Sequence, residues 1–201
     1  EYGHFDDAKN EYVITTPLTP RPWENRCWND DLTMQITNHG TATVYERDHE
    51  GRFILYNTSR NRFLYVMDQT TAALWSPAWF PVNTDLDSYE CRHGMKYTVI
   101  TGRKDGVEIV WKTTVHPTEA VEIQRIEIRN RSSQRRKLLL VPLYQIDISF
   151  KDPYFFGSPD LFRTQLDTDN GLMYIKNYSR HRDMERYALA WSGDKPILKY
   201  E

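Results

Sequence analysis

Six carboxylates stand in close pairs in this sequence: Asp6 with Asp7, Asp30 with Asp31, and Asp85 with Asp87. Paired carboxylates are the equipment of acid–base catalysis. Asp in polar stretches is more often a turn former, because its side chain bonds nearby backbone, and each pair is expected to be a turn or solvated loop. His93 and His116 have no partner at metal-ligand spacing. They are expected to be strand histidines with local hydrogen bonds. Acyl-transfer signatures are absent: there is no GxSxG elbow and no recognisable Cys/His pair. Gly40 stands alone, without the glycine pattern of a P-loop or dinucleotide site.

Two other stretches are suited to binding. Residues 75–82 read Trp-Ser-Pro-Ala-Trp-Phe-Pro-Val. This stiff aromatic loop is able to pack a sheet edge or to line a sugar site. Residues 178–186 bring Arg180, Arg182 and Arg186 together between strands. Guanidinium forks recognise phosphate or sugar hydroxyls, and they also make salt bridges between domains.

The elements that must hold these residues have a period of two. Val107, Ile109, Trp111, Thr113 and Val115 alternate with Glu108, Val110, Lys112 and Thr114, and Phe63, Tyr65 and Met67 alternate with Leu64 and Val66. Both patterns predict strands with at least one buried face. In 121–128 the phase slips, from odd Val121 and Ile123 to even Ile126 and Ile128. A β-bulge at Gln124-Arg125 is expected to restore one face. Asp105-Gly106 and Asn170-Gly171 supply the positive φ of hairpin turns. They join 97–101 to 107–115 and 162–168 to 172–178. Pro142, inside the apolar run 138–143, predicts an edge, a bulge or a strand end. Strands every 8–12 residues with short turns, and no long helical period, predict an all-β, antiparallel sandwich. The run Lys195 to Tyr200 reads as another strand opening.

The 201 residues suffice for one large domain with a core. With 26 basic and 28 acidic residues the formal net charge is -2. That balance gives no reason to expect a nucleic-acid or anionic-membrane partner, and no apolar run is long enough to form a membrane-spanning helix. Thirteen Tyr, six Trp and eight Phe suit sheet cores and also sugar stacking. Cys27 and Cys91 form no CxxC pair. Free buried thiols in a reducing compartment are expected, with a single disulfide as the alternative.

Three stretches near the start resemble the opening of glycoside hydrolase family 94, the cellobiose and chitobiose phosphorylases formerly classed as glycosyltransferase family 36. They are Tyr2-Gly3-His4-Phe5-Asp6-Asp7, Asn10-Glu11-Tyr12-Val13-Ile14-Thr15 and Thr19-Pro20-Arg21-Pro22-Trp23-Glu24-Asn25. The loop 75–82 followed by Leu86-Asp87-Ser88-Tyr89-Glu90-Cys91-Arg92-His93-Gly94 is the most specific match. Val121-Glu122-Ile123, Ile126-Glu127-Ile128 and Asn130 follow in order. The resemblance runs from Tyr2 to about Phe150.

The resemblance implies a β-supersandwich at 1–201. It is expected to be the amino-terminal domain of a larger enzyme, incomplete at its carboxyl end and lacking the (α/α)6 barrel that follows it. It implies a cytoplasmic homodimer whose sandwich borders the active site. The reaction would be inverting phosphorolysis of a β-linked oligosaccharide to an α-sugar 1-phosphate, with inorganic phosphate as co-substrate and no cofactor. An inverting hydrolase needs an acid and a base, whereas phosphate is already an anionic nucleophile. One acid suffices, and the family carries it on the barrel. No catalytic residue and no metal site is therefore expected in this chain. Arg180 and Arg182 lie where the family has a Tyr-Arg-x-Arg motif beside the acceptor sugar, which makes them the expected substrate-binding residues. The family's tandem-glycine loop is replaced here by Asn38-His39-Gly40-Thr41, and lost glycine freedom is expected to alter substrate choice. Two other readings compete: a freestanding carbohydrate-binding or structural sandwich, and the sandwich of a larger glucan-synthesising protein.

Overall fold

The stretch Val107–Val115 buries every second residue, as its alternation requires, and the other strands assemble around it. The computed structural model describes residues 1–47, 53–57, 62–144, 162–167, 172–177 and 187–190. In chain order the strands are β1 (Gly3–Asp6), β2 (Glu11–Ile14), β3 (Glu24–Trp28), β4 (Leu32–Thr37), β5 (Ala42–Arg47), β6 (Phe53–Asn57), β7 (Arg62–Asp68) and β8 (Ala73–Trp75). There follow β9 (Ser88–His93), β10 (Tyr97–Lys104), β11 (Val107–Val115), β12 (Glu122–Asn130), β13 (Leu138–Tyr144), β14 (Phe162–Asp167), β15 (Leu172–Asn177) and β16 (Tyr187–Ala190). Every described element is a strand, and every pairing between them is antiparallel. The all-β expectation holds.

The chain divides into two compact units, Glu1–Asp147 and Ile148–Glu201. The first contains a six-stranded sheet, β1-β2-β9-β10-β11-β12, a four-stranded sheet, β3-β4-β5-β6, and a three-stranded sheet, β13-β7-β8. The second contains β14-β15-β16.

In the first unit one core forms between the six- and three-stranded sheets. Ile14, Cys91, Ile100, Ile109 and Trp111 meet Leu64, Val66 and Trp75 there, all at most 3% exposed. A second core gathers Cys27, Leu32, Met34, Ile36 and Val44 with Val115. Polar ties cross between the sheets. Arg62 on β7 is fully buried, and its Nη1 meets Glu122 Oε1 on β12 at 2.6 Å. Its Nη2 donates to Thr113 Oγ1, and its guanidinium lies 5.6 Å from the Trp111 ring centroid. Asn25 Nδ2 on β3 donates to the carbonyls of Gly94 and Tyr97.

The hairpin at Asp105-Gly106 forms as expected. Both residues have positive φ, 49° and 78°, and Lys104 pairs with Val107. Strands β14 and β15 pair from Asp167↔Leu172 outward, while Asn170-Gly171 lies outside the described residues, as does the run Lys195 to Tyr200. Pro142 sits in β13, an edge of its sheet, as its missing N–H requires.

The bulge expected at Gln124-Arg125 is absent. Strand β12 pairs with β11 in one unbroken register, from Val115↔Glu122 to Val107↔Asn130. Ile126 and Ile128 share a face with Trp111 and Ile109, whereas Ile123 lies opposite Thr114 on the outward face and is 41% exposed. The apolar phase slips because the inward positions 122 and 124 are polar. Glu122 pairs with Arg62, and Gln124 Oε1 accepts from Trp111 Nε1 and Tyr144 OH. Among the described ladders the register shift falls elsewhere, at Val44/Tyr45 between β5 and β6.

Candidate functional site

The aromatic loop that follows β8 folds back on itself. Trp79 N–H donates to Ser76 O at 2.9 Å and Asn83 N–H to Trp79 O at 2.8 Å, with positive φ at Trp79 (67°) and Asn83 (59°). Trp75 and Ala78 face the core. Pro77 lies flat on Gly102 of β10, where any Cβ would strike the Pro77 backbone. Trp79 and Phe80 are half-buried and turn the other way, toward His39. The Phe80 ring stacks on the His39 imidazole at 5.6 Å and 21°, and Trp79 tilts against it at 5.9 Å. Thus half of the loop is sheet core and half is rim.

His39 stands in the turn between β4 and β5. Thr37 N–H donates to Thr41 O, Gly40 N–H to Thr37 O, and the two threonine hydroxyls meet at 2.8 Å. Gly40 alone carries the positive φ in this turn, 78°, and packs against the Trp111 ring. One glycine therefore closes the turn, and position 39 is free to bear a side chain. His39 Nε2 bonds the Pro17 carbonyl at 2.8 Å, and because a carbonyl only accepts, Nε2 is the donor.

Asn38, fully buried, locks the neighbouring pieces to this turn. Its Oδ1 accepts from Trp23 N–H at 2.9 Å, its Nδ2 donates to Thr19 Oγ1 at 3.3 Å, and its carbonyl accepts from Tyr89 OH at 2.6 Å. The proline-rich segment, the Asn38–Gly40 turn and the aromatic loop, far apart in sequence, thus meet in one rim. The amide of Asn38 and the hydroxyls of Thr37, Thr41 and Tyr89 are spent on holding this rim together, and the half-buried rings of Trp79 and Phe80 with His39 form its outer part.

The other candidates stand as follows. Asp6 ends β1 and accepts from Arg92, while Asp30 and Asp31 lie in a turn capped by Asn29 Oδ1. Asp85 and Asp87 are exposed in the approach to β9. His93 is bonded by Thr98 Oγ1 at 3.0 Å and Trp23 O at 3.3 Å, and burial holds its pKa down at about 4. It is a neutral structural ring. His116 Nδ1 accepts the N–H groups of Thr118 and Glu119 just after β11. Cys27 and Cys91 are free and buried, and burial pushes the Cys27 thiol up to about 11. Among the described residues no group of side chains is arranged to hold a metal ion. Arg180 and Arg182 lie outside the described residues.

Sequence reasoning missed one cluster. Arg92 on β9 reaches Glu90 (2.6 Å), Glu11 (2.8 Å) and Asp6 (3.2 Å), while Tyr97 OH donates to Glu11 at 2.6 Å. Burial alone would raise the Glu11 pKa. The hydrogen bonds from Tyr97 and Arg92, with the Arg92 charge, hold it below the usual 4.5. Glu90 is two positions from Arg92, but Glu11 and Asp6 lie 81 and 86 positions away, so no local pattern signals the cluster.

Comparison with known proteins places the geometry in a lineage. Residues 10–201 match the family described as glycosyl hydrolase 94, supersandwich domain. Solabiose phosphorylase of Paenibacillus borealis is 30% identical over 68% of this chain and 19% of its own length. An N,N'-diacetylchitobiose phosphorylase of Vibrio furnissii is 32% identical over 69% of this chain and 18% of its own. A cyclic beta-(1,2)-glucan synthase of Rhizobium meliloti (strain 1021) is 29% identical over 68% of this chain and 5% of its own. The chain spans about a fifth of the length of the two phosphorylases.

Proposed function

The chain belongs to the glycosyl hydrolase 94 family as its supersandwich domain, and from that premise we propose that it is the non-catalytic sandwich of an inverting β-glycoside phosphorylase. The observation that carries this reading is the family match across nearly the whole chain, seconded by phosphorylases among the relatives. In the proposed reaction a phosphate oxygen attacks the anomeric carbon from the α face. The β-glycosidic C–O bond breaks, and one carboxylic acid donates its proton to the departing oxygen. Phosphate needs no general base, and a second carboxylate would repel it. The acid belongs to a part of the enzyme beyond this domain.

In this reading the rim of His39, Trp79 and Phe80 borders the sugar site, with no cofactor besides phosphate as co-substrate. Arg180 and Arg182 offer their forks to acceptor hydroxyls. The protein acts as a homodimer in the cytoplasm, a compartment that suits two free buried thiols.

The test is release of sugar 1-phosphate from β-linked disaccharides, cellobiose and N,N'-diacetylchitobiose among them, by full-length protein and by residues 1–201 alone. The full-length protein should turn over and the isolated chain should not. Turnover by the isolated chain, abolished by changing one of its own carboxylates, would put the chemistry in the wrong place. Arg180→Ala and Arg182→Ala in the full-length enzyme should each lower kcat/KM with acceptor roughly ten- to hundred-fold, the cost of a hydrogen bond to a charged group. Wild-type kinetics for both would remove them from the site. The match to the glucan synthase favours a second reading, the sandwich of a glucan-synthesising protein. Polymer formation in place of phosphorolysis would select it.

A further inference from the structure

The segment between β2 and β3 has little backbone bonding of its own. Pro17, Pro20 and Pro22 lack an N–H. Among the described residues, 17–22 make no backbone-to-backbone hydrogen bond. Three hydrogen bonds tie the segment to the β4–β5 turn instead. Trp23 N–H donates to Asn38 Oδ1 at 2.9 Å, Asn38 Nδ2 donates to Thr19 Oγ1 at 3.3 Å, and His39 Nε2 donates to the Pro17 carbonyl at 2.8 Å.

The first of these bonds continues a ladder. Strands β3 and β4 pair as far as Glu24↔Thr37. One step further, Asn38 N–H still donates to the Trp23 carbonyl at 2.9 Å, but the Asn38 carbonyl has turned away to accept from Tyr89 OH. The Asn38 side chain supplies the acceptor that its backbone has withdrawn. Its amide also carries the donor that Thr19 receives, on one short planar group. Asp lacks that donor, and Gln is longer by a methylene. Asn38 is fully buried, so it does not reach a substrate itself. Its neighbour His39 does the presenting, with a half-buried ring held by the Pro17 carbonyl and stacked on Phe80.

We infer that Asn38 is the positioning residue of the rim: its amide pins residues 17–23 to the β4–β5 turn and so fixes the His39 ring that borders the sugar. The inference rests on the phosphorylase reading above. The contacts that carry it all lie within Glu1–Asp147. If residues 17–23 come loose, the Pro17 carbonyl leaves His39, and a ring that has lost its fixed place binds sugar less well without touching the bond that breaks.

The experiment is two measurements on the full-length protein: wild type, Asn38→Ala, His39→Ala and the double variant. The first is carbethoxylation of His39 by diethyl pyrocarbonate, read by peptide mass spectrometry against the exposed His4. Asn38→Ala should speed His39 at least roughly threefold relative to His4, because local opening is eased. The second is phosphorolysis of the disaccharide turned over best. Asn38→Ala and His39→Ala should each raise its KM roughly fivefold and leave kcat within about twofold, the pattern of lost binding. The double variant should raise KM no further than His39→Ala, because the amide acts through the ring. Unchanged His39 reactivity overturns the inference, and so does an unchanged KM or a pair of effects that multiply in the double variant. A merely stabilising amide would lower Tm and leave KM alone. If Asn38→Ala fails to fold, Thr19→Val removes only the partner of Nδ2 and should move both readouts the same way; wild-type values for it overturn the inference. A full-length protein that releases no sugar 1-phosphate sinks the phosphorylase reading, while His39 reactivity in Asn38→Ala still decides whether the amide positions the ring.

Discussion

The charged and titrating residues of the six-stranded sheet set its acid stability. His93 binds a proton at about 4 in the folded chain, against 6.5 ordinarily. Below pH 6.5 the unfolded chain therefore binds more protons, and stability falls as pH drops from about 6.5 to about 4. His93→Gln should flatten that part of the Tm–pH curve. An unchanged slope would show that the buried ring is not its source. Glu11 acts lower on the scale. Its folded pKa is depressed, so its contribution is present above the usual 4.5 and is lost as pH falls through the folded value. Arg92→Ala strands that carboxylate, 5% exposed, without its cation. Urea unfolding at pH 7 should show a loss of about 2 kcal/mol, below the cost of breaking a fully buried pair because Arg92 is 25% exposed. A loss under about 0.5 kcal/mol would class the cluster with ordinary surface pairs. At this scale the sequence was legible where the plainer chemistry sufficed, as with Asp30 and Asp31 in a turn, the locally bonded His116 and the free buried thiols. Asp6 in β1 and His93, which also reaches Trp23, have partners far along the chain. Asn38 and Arg92 were illegible because their partners are distant in sequence.

Among the elements, the strands whose apolar period matches their burial were readable to the residue, as with Val107–Val115, and so was the Asp105-Gly106 turn. The reading of β12 failed because hydrophobicity was used as a proxy for facing inward, and two of its inward positions carry the Glu122 and Gln124 partners of buried polar groups. Beyond the hairpin partners β10–β11 and β14–β15, which strand neighbours which was not legible. β9 slots between β2 and β10 across a long sequence gap. The turn between β4 and β5 gives the sharpest test at this scale. Gly40 has φ 78° and lies under the Trp111 ring, so Gly40→Ala meets both backbone strain and a clash. The expected loss is about 2–3 kcal/mol, more than the strain alone. His39→Ala, one residue earlier, should cost under about 1 kcal/mol, since the turn does not depend on its ring. Equal losses for the two variants would mean that the ring, not the glycine, shapes the turn.

At the scale of the molecule, the family resemblance conveyed a lineage that periodicity could not, and the family match continues to residue 201, past the point near Phe150 where the motifs fade. What joins the sheets of the first unit was invisible to both. Arg62 opens β7 with its side chain fully buried, and Glu122 opens β12 with 13% exposed. Their 2.6 Å ion pair, with Thr113 and the Trp111 face around the guanidinium, ties the three-stranded sheet to the six-stranded one across the core. Two charges removed from water regain their desolvation cost only together, and among the described residues Arg62 Nε has no hydrogen-bond partner. The pair should therefore be costly to break and cheap to replace. Arg62→Leu leaves Glu122 as an uncompensated buried charge and should lose about 3–5 kcal/mol. Glu122→Leu, which strands the guanidinium, should lose a comparable amount. The double variant removes both charges and keeps apolar volume, so it should recover most of either loss, giving a coupling of several kcal/mol in the double-mutant cycle. Denaturant unfolding of all four proteins at pH 7 measures that cycle. Losses that simply add would show that the two charges act independently, and that the sheets are held by the apolar core alone.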